Sequence, residues 1–118
     1  KVYRALNIIN LSDKKDNYPS ELSGGEQQRV AIARAIVNKP SIIIADEPTG
    51  NLDFKNSKDI LNLFLDINEK YKTTIIMATH NQELVDIAKQ RVIRLDKGEI
   101  ISDKKFYGWK ETEILWKI

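Results

Sequence analysis

The chain has 118 residues, 42% of them hydrophobic and 31% charged, with 19 Lys+Arg against 17 Asp+Glu for a formal net charge of +2. That length holds one small domain with one core. The near-balance of charge excludes disorder by self-repulsion and makes no demand for a nucleic-acid partner. Zero cysteine excludes a disulfide scaffold, a zinc–thiolate site and a cysteine nucleophile, and it fits a reducing compartment.

No apolar run approaches the roughly 18 residues of a membrane span. The opening Lys1-Val2-Tyr3-Arg4-Ala5-Leu6 has neither an initiator Met nor a signal-peptide apolar region, so the chain reads as starting inside an element. Val2, Leu6 and Ile9 fall at helical spacing over residues 2–11, and a polar loop follows. Ser23-Gly24-Gly25-Glu26 opens the next element. Ser with Glu three residues later is a capping box, so a helix is expected to run to about Val37, where Asn38-Lys39-Pro40 stops it.

Ser41–Ala45 is a β-branched apolar run that predicts a strand buried on both faces of a parallel sheet. Ile60, Leu63, Phe64, Ile67 and Tyr71 predict an amphipathic helix over 55–71. Thr73–Thr79 reads as a second strand and 82–89 as a short helix. Val92–Leu95 and Glu99–Ile101 flank Asp96-Lys97-Gly98 as a hairpin. The alternation of strands and helices predicts an α/β fold with a mostly parallel sheet flanked by helices. The tail Lys104–Ile118 is less patterned; Trp109 and Trp116, seven apart, suit one helical face packed on the domain.

Three places carry chemistry. At Ser23–Glu26, unpaired N–H groups and the positive end of a helix dipole meet two glycines, which let a phosphate approach the backbone. Ser-x-x-Glu alone is better explained as a plain capping box, since such boxes are common. At Asp46-Glu47, two carboxylates leave the carboxyl end of a strand, the edge where open α/β sheets bind ligands. An Asp there suits Mg²⁺ and the next Glu suits a general base; an acidic turn that caps the following helix is the bland reading. His80, the sole histidine, follows the second strand. On parallel strands it shares an edge with Asp46 and Glu47 and can hydrogen-bond a phosphate; packing or plain surface exposure is the alternative.

Together these residues resemble the ATP-binding cassette family. Leu22–Arg29 is similar to its signature motif, Ile42–Glu47 to its Walker B strand with catalytic glutamate, Asn51-Leu52-Asp53 to its D-loop, and His80 to its switch histidine. The resemblance covers roughly residues 1–103. It implies the C-terminal half of a P-loop NTPase domain with ATP and Mg²⁺ as cofactors. It implies that Ser23, Gly24, Gly25 and Glu26 meet the nucleotide of an opposite subunit and that Asp46 holds the metal through water. Glu47 then serves as general base, Asp53 couples the two sites at the dimer interface, and His80 senses the γ-phosphate. The partners implied are a head-to-tail ATPase dimer and an integral membrane permease, with no nucleic acid, on the cytoplasmic face of the plasma membrane. Pro48-Thr49-Gly50 is typical of the transporter branch; within it Ala45–Asp53 and Ala78-Thr79-His80-Asn81 look most like the cell-division ATPases, and lipoprotein-release and macrolide-export ATPases share the first phrase.

One motif is missing. None of the five glycines is followed by Gly-Lys-Ser/Thr at the P-loop spacing, so the sequence contains no Walker A. The chain then reads as the C-terminal fragment of a longer ATPase, inactive alone, with a partial cassette at 1–103 and a tail at 104–118. The competing readings are a non-catalytic cassette that binds a partner and a DNA-repair or chromosome ATPase. The intact signature and Glu47 speak against the first. The absence of heptads and cysteine speaks against the second.

Overall fold

The computed structural model describes residues 23–104 and the backbone of residues 114–117. The helix expected over 2–11, Leu22 and Trp109 lie outside the described residues.

Helix α1, Gly24–Ile36, starts where the capping box places it. The Ser23 Oγ accepts from the Glu26 amide at 3.1 Å, and the Glu26 carboxylate accepts from the Ser23 amide at 3.1 Å. Two of the orphan donors of the first turn are thereby satisfied. Strand β1, Ile42–Asp46, follows, then helix α2, Phe54–Tyr71. The α2 face turned inward carries Ser57, Ile60, Leu61, Phe64, Ile67 and Asn68. The helix stops at Lys72, whose φ of 55° is left-handed. Buried Asn68 donates to the Thr73 carbonyl at 2.7 Å, fixing the entry into strand β2, Thr74–Ala78.

Helix α3, Gln82–Ala88, leads to strands β3, Arg91–Asp96, and β4, Glu99–Lys104. Lys97 and Gly98 both have positive φ, 49° and 78°, between the paired Asp96 and Glu99. Two such residues twist the turn in the sense that the antiparallel strands need, and Gly98 supplies one of them without strain.

A fifth strand, β5, comprises Ile114–Lys117. It lies between β2 and β3, parallel to both, with Trp116 opposite Met77 on one side and Val92 on the other. The sheet order is β1-β2-β5-β3-β4. The expected helical face shared by Trp109 and Trp116 is thus corrected, because Trp116 sits in extended backbone. Four residues are too few to show a period, and their pairing partners are distant in sequence.

The core lies on one face of the sheet. Ile43 and Ala45 of β1 and Ile75 and Met77 of β2 cluster with Ile60, Leu61, Phe64 and Ile67 of α2, and with Leu84, Val85 and Ala88 of α3. The alternate residues of β1 point away: Ile42 is 55% exposed and Ile44 77%. The expectation of a strand buried on both faces is therefore corrected. The helices described here all pack into one cluster, so β1 is half-buried despite its continuous apolar sequence.

Candidate active site

Parallel pairing of β1 with β2 sets Asp46 beside Ala78, so both strands end at one edge. Glu47 comes next. Its amide donates to the Ala78 carbonyl at 2.8 Å, and its own carbonyl accepts from the Gly50 amide at 3.1 Å. These two bonds hold Glu47 at a φ of 46°, a left-handed conformation uncommon for a side chain of its size. On the other strand, the buried Thr79 hydroxyl accepts from the Asn81 amide at 3.1 Å, and Asn81 caps α3 by accepting from Leu84 at 3.2 Å. His80 is pinned between these two anchored residues.

The result is a pair. The His80 Nε2 lies 3.4 Å from the Glu47 Oε1, with the His80 side chain 88% exposed and that of Glu47 37% exposed. Glu47 is thus partly sheltered yet open to a water, while His80 reaches outward from the same edge. Asp46, the last residue of β1, is exposed beside them. Among the described residues no three His, Asp or Glu side chains gather into a metal cage. Mg²⁺ needs only one or two carboxylates when phosphates and waters complete its shell, and Asp46 fits that role.

The loop from Glu47 to Asp53 is held from inside. The Leu52 amide donates to Thr49 at 3.1 Å. Buried Ser57 places its hydroxyl 3.4 Å from the carbonyls of both Thr49 and Leu52. Asp53 accepts from the Asn56 amide at 2.8 Å and so caps α2. The capping carboxylate for that helix is therefore Asp53, and Asp46 and Glu47 are left for other work.

Ser23, Gly24, Gly25 and Glu26 form a second group. A side chain at Gly25 would stand 3.2 Å from the Asn56 Oδ1, and one at Gly24 3.5 Å from Leu52. The glycines thus rest against the start of α2, whereas Glu47 rests against His80 and Ala78. The chain brings Asp46, Glu47 and His80 together and joins the glycine group to Leu52 and Asn56. Sequence reasoning missed Ser57, Asn56 and Thr79. Ser57 left a signal: it lies three residues before Ile60 on the apolar stripe, where a polar residue needs a partner.

Comparison with known proteins bears on the family. A family model described as "ABC transporter" matches residues 1–50. The chain is 50% identical over 113 residues to the cell division ATP-binding protein FtsE of Streptococcus pneumoniae, covering 94% of this chain and 49% of that protein. It is 59% identical over 83 residues to the lipoprotein-releasing system ATP-binding protein LolD of Buchnera aphidicola, covering 70% of this chain and 36% of that protein. The chain thus spans half or less of the length of these relatives. Among solved structures, the dimeric bacterial transporter cassette MJ0796 superposes with a TM-score of 0.73 at 39% identity, over 92% of this chain and 47% of that one. The chain belongs to the ATP-binding cassette family.

Proposed function

We propose that the chain is the catalytic and switch half of a cassette that hydrolyses MgATP as a head-to-tail dimer and drives an integral membrane partner. The observation that carries this reading is the Glu47–His80 pair, 3.4 Å apart, one residue beyond Asp46. Glu47 takes a proton from the attacking water. His80 hydrogen-bonds the γ-phosphate and keeps the water and Glu47 aligned. Asp46 is the residue that would hold Mg²⁺, and the ion would supply positive charge to the phosphates when bound.

Ser23 accepts from Glu26 through its oxygen and still has its O–H to donate. Ser23, the exposed Gly24 and the Gly25 backbone present donors to the γ-phosphate of a nucleotide held by the second subunit. Glu26 keeps Ser23 in place through the capping box. MJ0796, 39% identical to this chain, is a dimeric cassette, which supports a site shared across a dimer. Asp53, at the entrance of α2, couples the two halves. With no Gly-x-x-x-x-Gly-Lys-Ser/Thr in its 118 residues, the isolated chain lacks a phosphate cradle and hydrolyses nothing.

The test is Glu47→Gln in the complete dimeric cassette. Loss of a positioned general base lowers turnover by about a hundred-fold or more, while ATP still binds and the dimer accumulates. Turnover at the normal rate removes Glu47 from its role, and Glu47-dependent activity from the isolated chain overturns the shared-site reading.

Similarity to FtsE over 94% of the chain, with Asn81 after His80, favours an FtsX-like permease partner and a peripheral position on the cytoplasmic face of the plasma membrane. No helix among the described residues is long and apolar enough to cross a membrane. The higher identity to LolD over 83 residues supports the second reading, a lipoprotein-release type transporter. Co-purification of the whole protein with one permease and not the other separates them.

A further inference from the structure

A cavity of 340 Å³ opens between α3 and the β3–β4 hairpin, and Asp46, Glu47 and His80 are not among its lining residues. Its walls include Lys89, Arg94, Lys104 and Ser102. The strand register explains the gathering. Val92 pairs with Lys104 and Arg94 with Ser102, so alternation puts Arg94, Ser102 and Lys104 on one face of the hairpin. Lys89 comes from the other wall, at the left-handed C-cap of α3 with a φ of 53°.

The two hairpin faces differ in charge. Arg91, on the opposite face, is neutralised by a two-pronged contact with Asp103 at 2.8 and 2.6 Å. Within the cavity the Arg94 guanidinium instead donates to a neutral group, the Gln82 amide oxygen, at 2.8 Å. That amide donates in turn to Asp86, a carboxylate of the cavity wall, at 2.8 Å. Among the described residues, three cations therefore line the cavity against one carboxylate, which is already held by an amide. A hydroxyl and a planar multi-donor guanidinium beside two ammonium groups match the oxygens of a phosphate.

We propose that this cavity binds a small phosphate-bearing anion at a site distinct from the hydrolytic edge. The same chemistry is carried by a free phosphate compound and by a phospholipid headgroup. The test is titration of the full, isotope-labelled chain with inorganic pyrophosphate at low salt, followed by amide NMR, with competing vesicles of phosphatidylcholine containing phosphatidic acid in a second arm.

The expected result is saturable shifts confined to residues 82–104, weakened about ten-fold in Arg94→Gln/Lys104→Gln. Because Arg94 also bonds Gln82, the exposed pair Lys89→Gln/Lys104→Gln serves as a second variant with the same expected loss. Arg91→Gln, on the neutralised face, leaves the binding unchanged. Vesicles that displace pyrophosphate from the native chain identify the lipid headgroup as the source; vesicles that do not identify a free phosphate compound. Absence of saturable shifts, shifts centred on Asp46–His80, or binding unaffected by both double variants overturns the proposal.

Discussion

The Glu47 amide donates to the Ala78 carbonyl at 2.8 Å, tying the first residue past β1 to the last residue of β2. That bond sets where the carboxylate goes. It also helps hold the Glu47 backbone at a φ of 46°, which costs a residue with a Cβ about 1–2 kcal/mol. The carboxylate meets His80 from this strained conformation. Glu47→Gly is therefore expected to be more stable than Glu47→Ala by about 1 kcal/mol, since both lose the carboxylate and only glycine relieves the backbone. Chemical denaturation of the two variants measures it. Equal stabilities remove strain from the account.

Ile43 and Ile44 are neighbours on β1 with opposite fates. Ile43 is 6% exposed against α2, and Ile44 is 77% exposed. Ile43→Ala is expected to cost about 2–4 kcal/mol through a cavity in the core. Ile44→Ala is expected to cost under about 1 kcal/mol, the scale of a surface or propensity effect. Urea unfolding of both variants in the same chain gives the comparison. A loss at Ile44 equal to that at Ile43 means that its face is covered in solution.

These cases show what local pattern can and cannot reveal. The apolar spacing of Ile60, Phe64 and Ile67 predicts α2, which runs Phe54–Tyr71. The phase of its buried face is less legible: Leu61 is buried, while Tyr71, counted on the apolar stripe, is 45% exposed. Asp46, Glu47 and His80 were legible because each follows a β-branched run, and parallel pairing does bring them to one edge. Strand β5 was not, because its place between β2 and β3 comes from pairings distant in sequence. The support from Ser57 was also out of reach, since it depends on two carbonyls in a loop that the helix must first fold against.

Asp53 has an observed role as a helix cap and a proposed role as a coupling residue, and substitution can separate them. Its carboxylate caps α2 by accepting from Asn56 at 2.8 Å. Asp53→Ala is expected to cost about 1 kcal/mol of stability. Asp53→Asn keeps a capping oxygen and is expected to stay within a few tenths of a kcal/mol of the native chain. In the complete dimeric cassette Asp53→Asn still lowers ATP turnover if the charge couples the two halves. Measured stability and turnover that fall together in both variants leave Asp53 with the cap alone.

Gly25 is buried in the first turn of α1, where a Cβ would stand 3.2 Å from the Asn56 Oδ1 and 3.4 Å from its Cγ. Two effects compete in Gly25→Ala. Alanine favours a helix over glycine by up to about 1 kcal/mol, whereas crowding a packed contact costs about 1–3 kcal/mol. The side chain of Asn56 is bounded by the α1–α2 contact, so crowding is expected to win, with a net loss of about 1 kcal/mol. Asn56→Ala removes the obstacle, and in that background Gly25→Ala is expected to be neutral or stabilising. A double-mutant cycle of unfolding free energies tests this directly. The same pair separates packing from chemistry in the complete cassette. If the glycine serves helix packing only, the double variant regains both stability and ATP turnover. If the bare backbone is also needed for a phosphate to approach, stability returns and turnover does not.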